Sequence, residues 1–247
     1  MVEASAFNAQ IKAWHWFSCD HALAATLLCL KCGELESNPV PPNAEERARG
    51  LTWSEAQAAE HRTYAVATIL NAAAFLEAAF NELVESAQMD NLAVGGGAGG
   101  LQSAERSVLT ELGNQWGYRP PPLVERAQAV LQRLGREEFN EGGAPYKPAE
   151  TLARFRNRLI HYRPEWRTAG TAPGDYWIAR EMEPLGLVLH PFTTPHNPFF
   201  PDRCLGHSLA LWAWETSLAF AEDFFTRVGV EPAYAVLRPQ LTLSQGG

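Results

Sequence analysis

Between Thr52 and Gln88 the chain runs without a single glycine or proline, and this stretch constrains the fold more than any other. Helix breakers are absent, Thr52 or Ser54 can cap the start, and Glu55 suits the positive amino end. Its centre, from Tyr64 to Val84, is mostly Ala, Leu, Ile, Val and Phe. A helix that is apolar nearly all round must be covered on most sides, so it is expected at the middle of a bundle. Asn71, Glu77, Asn81 and Glu82 are its polar exceptions and read as interhelix hydrogen-bonding partners or exposed positions.

The remaining segments fit the same architecture. Residues 6 to 32 carry an imperfect apolar helical face, from Phe7, Ile11, Trp14 and Phe17 to Leu23, Leu27 and Leu30, with Gly33 as the expected stop. A polar, proline-bearing connector follows, ending in NPVPPNAEERARG. Leu101 to Trp116 reads as a helix with Ser103 as a cap. Leu123, Ala127, Val130, Leu131 and Leu134 mark a further one, opened by Pro120 to Pro122. Another helix starts near Pro148. Order weakens from 167 to 201, where prolines accumulate and short extended pieces at Tyr176 to Ile178 or Leu185 to Leu189 are the candidates. Asp202 is placed to cap a final helix with Leu211, Trp214, Leu218, Ala221 and Phe225 on one seam, Gly229 ends it, and the tail from Glu231 should be irregular. No repeat is visible. The expectation is an all-α protein, one helical domain over residues 1–247.

Composition narrows the function classes. A formal net charge of −8 disfavours broad, sequence-independent binding to duplex nucleic acid, which needs extended positive surface. A local site for one or two phosphates remains compatible with it. Ala22 to Leu30 is too short to span a bilayer and lacks a basic flank, so no membrane association is expected and the cytoplasm is the expected location. Four irregularly spaced cysteines suit a reducing compartment rather than a disulfide framework. Cys29-Leu30-Lys31-Cys32 could hold zinc with Cys19, His15 or His21, but Cys19 and Cys29 on one helix lie about 15 Å apart along its axis, too far to share an ion, so these thiols read as buried apolar groups; His190, His196 and His207 are scattered, and neither metal nor cofactor is expected. Gly95 to Gly100 matches G-x-G-x-x-G by letter but lacks the preceding strand and reads as a linker.

One stretch carries chemistry. Lys147 to Arg167, KPAETLARFRNRLIHYRPEWR, has Leu152, Phe155, Leu159 and Tyr162 at helical spacing on one apolar stripe. Arg154, Asn157 and His161 gather on roughly the opposite side, with Arg156 on a shoulder between. Pro164 should end the helix and leave His161 in its last turn. From Ala153 to Arg167 the arginines at 154, 156, 158, 163 and 167 face only Glu165. In an acidic chain this concentration is either a solvated face or a place for phosphate, because guanidinium forks match phosphate oxygens and a histidine can exchange protons near neutral pH.

Arg156-Asn157-Arg158-Leu159-Ile160-His161 resembles the signature of the HEPN (higher eukaryote and prokaryote nucleotide-binding) family, an Arg followed by a polar residue, a short spacer and a His late on a helix. The surroundings resemble the family too, with AFLEAAFNEL upstream and WAWETSLAFAEDFF downstream. The resemblance spans about residues 57–230 and leaves residues 1–50, an N-terminal helix and connector, outside it. It implies a HEPN-like up-and-down bundle of four or more core helices with an extra N-terminal helix. It further implies a homodimer paired through the motif helices, with Ile160 as a contact residue. In the ribonucleases of that family the two copies form a composite, metal-independent site that cleaves RNA to a 2′,3′-cyclic phosphate. Carried over, Arg156 and His161 are the catalytic pair and Asn157 orients the imidazole or donates to phosphate. Arg154, Arg158 and Arg163 attract the RNA backbone, and Glu77 or Asn81 orients Arg156 from behind. A toxin–antitoxin or phage-defence role, with an antitoxin or regulatory protein as partner, is implied by the same analogy. Two alternatives stay open: a non-catalytic module binding nucleotide, RNA or protein, and a structural dimerisation module.

Overall fold

The computed structural model describes residues 15–89, 100–163 and 176–243, and every segment of regular structure in them is helical. The expected Gly95–Gly100 linker lies outside the described residues except for Gly100, as do the first fourteen residues and Pro164–Arg167.

Nine helices are named in chain order among the described residues: α1 (Phe17–Ser37), α2 (Ala44–Ala48), α3 (Glu55–Ala87), α4 (Ser103–Trp116), α5 (Leu123–Arg133), α6 (Tyr146–Ile160), α7 (Tyr176–Met182), α8 (His207–Val228) and α9 (Arg238–Leu241). The long breaker-free stretch is α3, capped by the Ser54 hydroxyl, which accepts from the Gln57 N–H at 3.5 Å. Its circumference is covered as its composition demands: α1 lies along it over the most extensive contact, α8 takes a second side, and α4, α5 and α6 fill the rest. Ile69, Phe75, Leu76, Phe80 and Leu83 are buried. Phe75 meets Trp214 of α8 edge-on at 5.3 Å between centroids, and Tyr234 at 4.8 Å. Among the described residues α3 is also the one helix long and apolar enough to cross a bilayer by length and composition; half of its most apolar part is buried inside the bundle.

α1 contributes Ala22 and Ala25 to the main core, so the N-terminal helix is part of the bundle, while Phe17, Leu23, Leu27 and Leu30 remain exposed on its outer flank. Gly33 does not stop it, contrary to expectation. A Cβ there would sit 3.0 Å from Nε2 of His207, so this glycine serves the close approach of α8's first residue. The connector contains α2, whose start is a reciprocal capping box: the Asn43 side chain accepts from the Glu46 N–H at 3.0 Å and Glu46 returns to the Asn43 N–H at 2.7 Å.

The C-terminal third departs further from expectation. Tyr176–Ile178 is helical rather than extended, the start of α7. α8 is preceded by Gly206, and Asp202 instead accepts from Arg62 at 3.2 Å, tying the proline-rich segment to α3. The tail is ordered by burial: a 3-10 turn at Ala233–Leu237 leads into α9, Tyr234 and Leu241 are buried, and Trp214 donates Nε1–H to the Leu241 carbonyl at 3.1 Å. One aromatic donor seeking a carbonyl outweighed the local irregularity of the tail.

Candidate functional site

The motif helix α6 is seated by Leu152 and Phe155, both fully buried, against α3 and α8. Leu159 is partly buried behind them, and Tyr162, just beyond the helix, packs edge-on to Phe200 at 5.9 Å. The apolar stripe read from the spacing is therefore the inner face. Once that face is fixed, 3.6-residue geometry turns Arg154, Asn157 and His161 outward, and all three are exposed. His161 is the C-cap of α6, its backbone N–H donating to the Asn157 carbonyl at 2.9 Å. Ile160 beside it is 53% exposed, an apolar side chain without cover in the single chain.

Arg156 is different. Its side chain is about a quarter exposed and turns toward α3, where Nη2 lies 3.6 Å from Glu77 Oε1. The other oxygen of Glu77 accepts a short hydrogen bond from Nη2 of Arg126 on α5, and Arg126 Nη1 donates to Asn81 Oδ1 at 3.0 Å. Glu77 and Asn81 are one helical turn apart, so α3 presents both from one face. Asn81 thus serves Arg126, while Glu77 is shared between two arginines. The Arg126 side chain is only 5% exposed and its guanidinium lies 4.9 Å from the Phe80 ring centre and 5.9 Å from that of Trp116. Its Nε has no hydrogen-bonding partner among the described residues. A charge so placed is tolerable because a carboxylate, an amide and two aromatic faces answer it together.

The flanking arginines divide by partner. Arg154 Nη1 donates to both oxygens of Glu181 on α7, at 2.9 and 3.3 Å, and its guanidinium covers Trp177 at 4.5 Å. Glu181 also accepts from the Thr151 hydroxyl at 3.2 Å, so this carboxylate fastens α7 to α6. Arg158 lies over Tyr162 at 5.3 Å and Phe200 at 5.9 Å. Arg163 is exposed at the end of the described segment.

Arg126 is the residue that sequence reasoning missed, and its signal was present. Leu123, Ala127, Val130 and Leu131 define an inward stripe on α5, and Arg126 falls at i+3 from the first and i−4 from the third, an inward position. An arginine on a buried stripe demands an anionic or polar partner, and the polar exceptions on α3 are where that partner lies.

The chain matches no known protein-family model, no characterised protein and no solved structure.

Proposed function

We propose that the chain is a metal-independent endoribonuclease that acts as a homodimer with a composite Arg/His site. The observation that supports this most is the division of labour on α6: Arg156 is drawn back against Glu77, while His161 and Asn157 face outward beside the uncovered Ile160. Five residues of α-helix separate Arg156 from His161 by about 140° around the axis and about 7.5 Å along it. A single chain therefore presents them in different directions, and two motif helices meeting at Ile160 would gather the outward groups of both copies into one cleft.

The chemistry follows from these groups. The ribose 2′-oxygen attacks its own phosphorus, the bond from phosphorus to the 5′-oxygen breaks, and a 2′,3′-cyclic phosphate remains. One His161 imidazole takes the 2′-hydroxyl proton and the partner's His161 supplies a proton to the departing 5′-oxygen. Arg156, drawn back to Glu77 in the single chain, would have to swing from that carboxylate into the cleft to answer the charge that gathers on the non-bridging oxygens. Asn157, one turn before His161, would orient the ring or donate to the phosphate. Arg158 and Arg163 add positive field for the backbone. Arg154 does so less, since Glu181 holds it. A toxin–antitoxin or phage-defence setting belongs to the same proposal.

A second reading, a binding module without catalysis, is favoured by the engagement of Arg154 and Arg156 with carboxylates. The decisive assay incubates purified protein with mixed RNA in EDTA beside His161→Ala and Arg156→Ala. Cleavage to cyclic-phosphate ends, lowered by about 10²- to 10⁴-fold in His161→Ala, supports the nuclease. Cleavage undiminished in both variants overturns it, and RNA retention without cutting, weakened by either change, selects the binding module.

A further inference from the structure

A second polar cluster lies on the other half of α3. His61, fully buried, donates or accepts through both ring nitrogens: Nε2 is 2.7 Å from Glu36 Oε1 at the end of α1, and Nδ1 is 3.3 Å from Nε2 of His190 in the segment before α8. Cys32, one turn before Glu36 on α1, is also fully buried, and its thiol reaches the His61 carbonyl at 3.8 Å. The sulfur of Cys32, a carboxylate oxygen of Glu36 and a ring nitrogen of His61 all lie within 4.8 Å of one another. His61 and Glu77 are sixteen residues apart on one helix, about 24 Å, so this cluster is separate from the α6 site and does not depend on the ribonuclease reading.

We propose that Cys32, Glu36 and His61 form a zinc-binding site. The donor set is one soft sulfur, one imidazole nitrogen and one carboxylate, the mixture that suits Zn²⁺. The i,i+4 spacing of Cys32 and Glu36 places two ligands on one face of α1, and α3 brings the third across the interface where the two helices pack most extensively. Zinc bonds of about 2.0–2.3 Å put tetrahedral ligand atoms about 3.3–3.7 Å apart, so closure from the observed spacing needs side-chain shifts of about 1 Å. The supporting shell is in place: the His207 backbone N–H donates to Glu36 Oε1 at 2.8 Å and His190 lies against the far nitrogen of His61.

Proton bookkeeping shows what binding does. The Phe192 N–H donates to His190 Nδ1 at 3.1 Å, which puts the His190 proton on Nε2, where it is given to His61 Nδ1; His61 then gives Nε2–H to Glu36. An ion bonded to Nε2 displaces that last proton, which moves to Nδ1 of the same ring, and the thiol proton of Cys32 leaves to solvent. With His61 now protonated at Nδ1, its bond to His190 runs in the opposite direction, the His190 proton moves to Nδ1, and Phe192 loses its acceptor. Zinc would thereby act on the turn at 190–194 as well as clamp α1 to α3. Three protein ligands leave a fourth position for one water.

The test uses the full chain, stripped with a chelator and titrated with Co²⁺ as the spectroscopic probe. The expected result is one Co²⁺ per chain with visible bands of tetrahedral intensity and a near-ultraviolet thiolate-to-cobalt charge-transfer band, all displaced by Zn²⁺. Cys32→Ser should remove the charge-transfer band, whereas Cys29→Ser and Cys204→Ser keep it. His190→Ala should keep the band and weaken binding about 10- to 100-fold. A wild-type chain that binds no Co²⁺, or binds it without a thiolate band, overturns the proposal, and that spectrum decides even if Cys32→Ser fails to fold. A band that survives in a folded Cys32→Ser also overturns it.

Discussion

Replacing Glu77 by alanine should cost more stability than removing either arginine it holds. The carboxylate bridges Arg126 and Arg156, and Arg126 is 5% exposed, so losing Glu77 leaves a guanidinium inside the bundle with Asn81 and two aromatic rings as its remaining answer. Deleting one partner of a fully buried ion pair costs about 3–5 kcal/mol. Glu77 is itself 34% exposed, so water already screens part of the attraction, and we expect about 2 kcal/mol. Arg126→Met keeps the apolar stem against Phe80 and leaves Glu77 hydrated and still near Arg156, so about 1 kcal/mol is expected. The double variant Glu77→Ala/Arg126→Met should be more stable than Glu77→Ala alone, because it no longer buries an unanswered charge. Urea unfolding followed by circular dichroism measures all four proteins. In thermal melts the single Glu77 change should lower Tm by about 4–8 °C for a chain of this length. If Glu77→Ala costs no more than Arg126→Met, or the double variant is the least stable of the set, the account of this network is wrong.

Three further outcomes can be checked. Gly113→Ala should destabilise the fold by about 1–2 kcal/mol even though alanine is the better helix former, because its Cβ would lie 2.7 Å from Cγ1 of the buried, stiff Val84; a rise in Tm would contradict this. Burial pushes the Cys29 and Cys204 thiols up to about 12, above the unfolded value of 9.0, so both should resist alkylation at mildly alkaline pH in the folded chain. For the same reason their contribution to stability is whole below the unfolded value and is lost as the pH climbs from there through about 12, which alkaline unfolding of the Cys29→Ala/Cys204→Ala protein would show as a flatter pH profile. Ile160→Glu should leave the monomer fold intact and abolish both dimer formation and RNA cleavage, read by light scattering beside the RNA assay; a dimer that persists would remove the motif-helix pairing.

How much of this was legible beforehand depended on whether the deciding interaction was local. The run from Thr52 to Gln88 carried its own boundaries in breakers and caps, and the structure ends α3 at Ala87. The stripe through Leu152, Phe155 and Leu159 set the orientation of α6, because a helix wheel needs no partner to be drawn. Proximity of Glu77 to Arg156 was raised by polarity on an apolar helix, yet Arg126 stands between α5 and that carboxylate and was not foreseen. The failures share a cause. Gly33 reads as a stop only until His207, far along the chain, is laid against it. His61, His190 and Glu36 meet from three segments, and no spacing rule connects positions so distant in sequence. The tail around Tyr234 looked irregular because the carbonyl that satisfies Trp214 belongs to a residue with no pattern of its own.

α3 has a further consequence for how this chain can vary. It carries His61 near one end and Glu77 nearer the other, and both must meet groups on fixed neighbours. Adding or deleting a single residue between them would swing one half by about 100° relative to the other and misalign whichever cluster the rest of the bundle did not follow. The number of residues between those two side chains is therefore constrained along with their identity, and the joins around α3 can change length with less disturbance than this spine.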